Sequence, residues 1–91
     1  HLVGPKFARR SEANLFLGLS YLSAGQEQKA LAAFQKVSPD SFDWEDAQWY
    51  SALTYIIIDD VVHAKPILTD IAGKNGHPHQ REAREMLDAM D

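Results

Sequence analysis

The chain resembles itself when its sequence is shifted by 34 residues. Pairs that are identical at this offset include Ala13/Ala47, Leu19/Leu53, Tyr21/Tyr55 and Ala30/Ala64, and pairs that keep their size class include Gly18/Ala52, Leu22/Ile56, Phe34/Leu68 and Val37/Ile71. A third, truncated copy begins near His79, where Leu87 and Met90 continue two of these columns. A fixed period of this length predicts stacked copies of one supersecondary unit.

Each copy is predicted to be a pair of helices. Over residues 13–22, apolar side chains recur at three- and four-residue steps, which is the helical period. Gly25 supplies the left-handed stop that commonly follows a helix. A second helix is expected over about residues 27–37, and it ends at Ser38-Pro39 because the residue before a proline disfavours helical angles.

The second copy repeats this plan with different turn residues. Asp43 is expected to cap a helix that runs to about Ile58, and Asp59 takes the place of Gly25 because Asp tolerates the left-handed conformation. The next helix, over about residues 61–74, contains Pro66. A proline costs little near a helix start, where backbone donors have no partner, so one continuous helix is predicted.

The repeated residues resemble the tetratricopeptide-repeat (TPR) family. The residues that carry this resemblance are Leu17, Gly18, Tyr21, Gly25, Ala30, Phe34 and Val37 in the first copy, and Ala52, Tyr55, Ala64, Leu68 and Ile71 in the second. Small residues in these columns allow two helices to approach to roughly 8–10 Å. The chain departs from the family's pattern at its tryptophan column, which holds Asn14 and Gln48, with Trp49 one residue later.

The resemblance implies an all-α, right-handed helix-hairpin solenoid of five helices. It places one repeat at residues 11–44, a second at 45–78 and a capping helix at 79–91, after a lead-in at residues 1–8 with no helix of its own. The repeats also look like the C-terminal TPR tails of bacterial envelope proteins. Because the chain starts at His1, we read it as a piece of a longer protein, and both cytoplasm and periplasm stay open as its compartment.

The resemblance further implies a protein or peptide partner on an apolar concave face, which the first helix of each hairpin lines in this family. The residues expected to bind it are Phe16, Leu19, Trp49, Tyr50, Leu53, Ile57 and Arg84. Aromatic anchors in such a face would hold an apolar peptide or an amphipathic helix. The lysines and asparagines of a carboxylate clamp are missing from the matching columns. The same apolar residues could instead pack against neighbouring helices, and that alternative stays open.

Self-association is the alternative function. The last helix has one apolar stripe and a charged outer face, which suits the end of a solenoid. No comparable helix is expected before residue 9, because Gly4-Pro5 interrupts the short leading segment. The open leading edge could therefore pair with a second copy of the chain.

Composition argues against several other classes of function. A formal charge of -4 provides no basic surface for nucleic acid. The apolar run at residues 55–58 is far shorter than the roughly 18 residues that span a membrane. The chain has no cysteine, and His63, His77 and His79 lack the spacing of a metal site. We expect no cofactor, and with no nucleophile signature or phosphate-binding loop we expect no enzyme.

Overall fold

The part of the chain that the structure describes is all-α. A computed structural model describes the backbone of residues 3–90 and the side chains of residues 10–90, so His1, Leu2 and Asp91 lie outside the described residues. Within that range the chain forms five helices and no strand: α1 Val3–Ser23, α2 Glu27–Gln35, α3 Trp44–Ile57, α4 Val61–Ala72 and α5 Gln80–Met90. The predicted all-α class with five helices is confirmed.

Consecutive helices pack on one another, and the closest packing lies within the pairs α1/α2 and α3/α4. Two apolar clusters hold them together. The first-hairpin cluster consists of Leu15, Ala30, Phe34, Val37 and Ala47, and the second-hairpin cluster consists of Trp49, Ala52, Leu68, Ile71, Ala72 and Ala83. Tyr50 packs against both clusters, so this side chain joins the two helix pairs.

The turns inside the two helix pairs have the same backbone geometry. Gly25 has a φ of 75° and Asp59, at the equivalent position, has a φ of 63°. After each of these residues the next N–H reaches back to a tyrosine carbonyl, at 2.8 Å from Gln26 to Tyr21 and at 2.7 Å from Asp60 to Tyr55. This hydrogen bond, which joins residues five positions apart, satisfies a carbonyl that the helix end would otherwise leave without a partner. The prediction that Asp59 takes the role of Gly25 is confirmed.

The caps of the second pair differ from the prediction. Asp43 precedes α3, but its side chain makes no capping hydrogen bond. Asp60 instead caps α4, because its Oδ1 accepts a hydrogen bond from the backbone N–H of His63 at 3.2 Å. Pro66 lies inside the continuous helix α4, as predicted.

Helix α1 begins earlier than the sequence suggested. Its backbone is helical from Val3, so the helix runs through Gly4-Pro5, which we expected to interrupt it. Pro5 lies in the first turn, where its missing N–H removes no intrahelical hydrogen bond and its fixed φ suits the helix. A helical segment therefore precedes residue 9, contrary to our expectation for the lead-in.

Candidate partner-binding surfaces

The first helices of the two pairs present part of the predicted apolar face to solvent. Phe16 on α1 has 61% of its surface exposed, and Ile57 on α3 has 59% exposed. Leu19, Tyr50 and Leu53 are half-buried and pack against the two apolar clusters. The face is therefore mixed, with exposed apolar side chains next to others that hold the helices together.

Trp49, the expected centre of that face, is buried. Only 9% of its surface is exposed, and it belongs to the second-hairpin cluster. Its ring stacks on His79, with ring centres 5.0 Å apart and the planes within 5° of parallel. The loop before α5 thus covers the indole, which differs from our expectation that Trp49 anchors a partner.

Arg84, the only cation expected at the site, contacts the end of α4. Its Nε donates to the Ala72 carbonyl at 3.2 Å, and Gln80 Nε2 donates to the same oxygen at 2.9 Å. A cation at a helix C-terminus satisfies a free carbonyl and interacts favourably with the helix dipole. The guanidinium therefore ties α5 to α4.

A groove that the sequence did not indicate lies between α2 and α4, with α3 as its floor. Its volume is about 240 Å³. We call it the α2–α4 groove; its lining consists of Leu31, Phe34, Gln35, Trp44, Ala47, Gln48, Ser51, Tyr55, Ile67 and Asp70. The space exists because α3 presents short or polar side chains to it, at Ala47, Gln48 and Ser51.

Four polar side chains in the α2–α4 groove are not engaged by the protein. Within the described residues, Gln35, Gln48, Ser51 and Asp70 make no side-chain hydrogen bond or ion pair. The other lining residues are mainly apolar or aromatic. A groove of this kind can bury an apolar group and still offer hydrogen bonds and one negative charge at its wall.

A second depression adjoins the groove, shares Leu31, Gln35 and Tyr55 with it, and reaches Asp60 and His63. Its volume is about 370 Å³. His63 Nδ1 lies 2.8 Å from Asp60 Oδ2, and its ring stacks on Tyr55 with centres 5.1 Å apart. The hydrogen bond from His63 lowers the pKa of Asp60 below its ordinary value, because it favours the ionised carboxylate.

In the described part of the chain, no group of three His, Asp or Glu side chains is placed to hold a metal ion. None of its helices is both long and apolar enough to cross a membrane. A scan against protein-family models and searches of curated proteins and of solved structures found no match to this chain.

Proposed function

We propose that this chain is a protein-interaction module of the TPR type without a catalytic role. The 34-residue period, the matching turns at Gly25 and Asp59 and the buried small residues at each helix crossing support a TPR-type solenoid with a right-handed twist. The α2–α4 groove carries the functional part of the proposal. It combines apolar and aromatic side chains with polar groups that have no partner inside the described protein.

The occupant that fits this groove is a segment of another polypeptide with one large apolar side chain next to a basic residue. The apolar side chain would contact Trp44, Tyr55 and Ile67, which are only half-buried, and burial of their apolar surface favours binding. Gln35 and Gln48 each offer an amide donor and acceptor, which suits the backbone of a bound segment. Asp70 supplies the negative charge that favours Lys or Arg beside the anchor. The formal charge of -4 on the whole chain acts in the same direction.

Synthetic peptides test this proposal directly. We would measure binding of 12-residue peptides with a central Trp, Phe or Leu flanked by Lys, Glu or Ser, using fluorescence anisotropy. The Lys-flanked set should bind at least about tenfold more tightly than the Glu-flanked set, which corresponds to about 1.4 kcal/mol. Equal affinity of the three sets, or no binding at millimolar peptide, would overturn the assignment.

Filling the groove provides the matched control. Ser51→Leu places a larger side chain in the groove and should weaken binding about tenfold or more. Ser20→Leu makes the same change at an exposed position of α1 outside the groove lining, and it should leave binding unchanged. Asp70→Asn should reduce the preference for Lys-flanked peptides while leaving the apolar anchor in place.

The face of the first helices is the competing surface, because Phe16 and Ile57 are exposed there. The double variant Phe16→Ala/Ile57→Ala separates the two surfaces. If this variant loses binding while Ser51→Leu keeps it, the peptide lies on the first-helix face. The reverse result places it in the α2–α4 groove.

Self-association is the second candidate, and the exposed apolar side chains of α1 favour it. Phe16 and Leu17 are neighbours on this helix, and Leu17 has 45% of its surface exposed. If α1 pairs with a second copy, sedimentation should show a dimer that Phe16→Ser/Leu17→Ser returns to a monomer. A wild-type chain that stays monomeric at millimolar concentration removes this candidate.

A further inference from the structure

The loop between α4 and α5 contains two histidines in contrasting surroundings. His77 is buried, with 5% of its surface exposed, and His79 is half-buried on top of Trp49. Their ring centres are 6.0 Å apart. The partner-binding surfaces described above use neither residue, although both lie where α5 joins the second hairpin.

The hydrogen bonds of His77 require its neutral form. Its Nδ1 accepts a hydrogen bond from the backbone N–H of His79 at 3.1 Å. The neutral ring therefore carries its proton on Nε2, which is buried and has no hydrogen-bond partner among the described residues. A second proton would have to sit on Nδ1, where it would remove the acceptor and break the bond that shapes the loop.

The contacts of His79 link the loop to α3 and α5. Its Nε2 lies 3.0 Å from Asp46 Oδ1, and its Nδ1 lies 3.5 Å from Glu82 Oε2. The second contact is an ion-pair distance without hydrogen-bond geometry, since this Nδ1 has no hydrogen-bond partner. A protonated His79 would be attracted to both carboxylates. They are about half exposed, however, so solvent weakens the attraction.

We propose that His77 and His79 form a pH-sensitive latch, which keeps α5 docked near neutral pH and releases it at mildly acidic pH. The release would expose Trp49 and the apolar residues that α5 covers on α4. Release would thus change the C-terminal end of the helix stack from a covered end into an exposed apolar surface.

The burial of His77 favours this direction, and the charges around it act in both senses. Burial is the main cause that lowers the pKa of His77 from its ordinary value of 6.5, and His79 and Lys74 add to it. Glu45 and Asp46 on α3 act in the opposite sense. The pKa of His77 is therefore higher when α5 is undocked than when it is docked. Docking is fully favoured above pH 6.5, and it weakens as the pH falls through the pKa of the docked His77 ring.

Fluorescence of Trp49 reports the docked state. The chain contains two tryptophans, so Trp44→Phe leaves Trp49 as the only indole. Between pH 7.5 and 5, we expect a red shift of its emission and a rise of about twofold or more in acrylamide quenching as the ring becomes exposed. Amide hydrogens of residues 80–90 should lose protection over the same range. A change in emission intensity alone would not support release, because a protonated His79 can quench the stacked indole.

His77→Asn should remove the transition, because the amide oxygen can still accept from His79 N–H but does not titrate. His63→Asn, at an exposed histidine, should keep it. The latch is refuted if the transition survives in His77→Asn. It is equally refuted if the amide hydrogens of α5 in the unaltered chain are equally protected at pH 7.5 and 5, after correction for intrinsic exchange. That measurement does not depend on the folding of any variant. None of these measurements uses a peptide, so they stand apart from the test of the groove.

Discussion

A Cβ atom placed on Gly18 would overlap the ring of Phe34, whose Cδ1 would lie only 2.6 Å away. In the second hairpin the equivalent positions hold Ala52 and Leu68, both fully buried. In the first hairpin the large Phe34 ring thus faces glycine, and in the second hairpin the smaller Leu68 faces alanine. The two hairpins fill the same crossing with different combinations of side chains.

We predict that Gly18→Ala destabilises the chain. Alanine favours a helix by about 1 kcal/mol over glycine, but overpacking against the Phe34 ring costs about 1–3 kcal/mol. The expected net loss is about 1 kcal/mol, measured by urea unfolding. Adding Phe34→Leu recreates the pair of the second hairpin, so the double variant should be more stable than the two single losses predict by about 1 kcal/mol. Additive losses would show that the ring does not limit this position.

Gly73→Ala is the control for that prediction. Gly73 has a φ of -85°, and the nearest atom to a new Cβ is the carbonyl oxygen of Thr69 at 3.4 Å. Alanine fits there without strain, so the free energy of unfolding should change by less than about 0.5 kcal/mol.

Asp59→Gly is expected to stabilise the chain by about 0.5–1 kcal/mol. Asp59 has a φ of 63°, in the left-handed region where a residue with a Cβ is strained. Its carboxylate also lies at the C-terminus of α3, where a negative charge is unfavourable. The reciprocal change Gly25→Asp should destabilise by a similar amount. Thermal unfolding of both variants checks the prediction, and a lower midpoint for Asp59→Gly would contradict it.

Ser11→Ala should cost about 1–3 kcal/mol, because it leaves a buried polar group without its partner. Ser11 is buried on α1, and its Oγ accepts a hydrogen bond from the backbone N–H of Ser38 at 3.1 Å. This bond ties the first helix to the loop between α2 and α3. Ser20→Ala, at an exposed position of the same helix, should change stability little. Equal urea midpoints for the two variants would mean that water replaces the bond at no cost.

Asp60→Asn should make the chain less sensitive to acid. The pKa of Asp60 is lowered from 3.8, mainly by the hydrogen bond from His63, so its folded state favours the ionised form. The resulting stabilisation is present above pH 3.8, and it is lost as the pH falls through the pKa that Asp60 has in the folded chain. Urea midpoints between pH 5 and 3 should therefore fall less steeply for Asp60→Asn than for the unaltered chain. Asp40→Asn, at an exposed loop position, should follow the unaltered chain, and identical slopes for all three would contradict the prediction.

Local sequence was sufficient to predict the helices and most turns. The helical spacing of apolar residues depends on neighbours in the chain, and so do the turns at Gly25 and Asp59. Periodicity and residue type are therefore enough to predict them. The start of α1 was misplaced because Gly4-Pro5 resembles a break, whereas the first turn of a helix tolerates proline. The cap was misplaced for a related reason. Asp43 and Asp60 are both suitable residues, and only the backbone geometry shows which carboxylate meets an N–H.

The order of residues along the chain was enough to predict an all-α chain of five helices in two matching pairs and a closing helix, because the repeat and the helical period can be read from the linear sequence. Which apolar residues are exposed became clear only from how the helices pack. Trp49 is covered by His79 from a distant loop, and Arg84 binds the Ala72 carbonyl. The α2–α4 groove likewise exists only once three helices converge around Gln48 and Ser51. Exposure depends on what packs against a side chain from elsewhere in the chain, and the type of the residue does not contain that information.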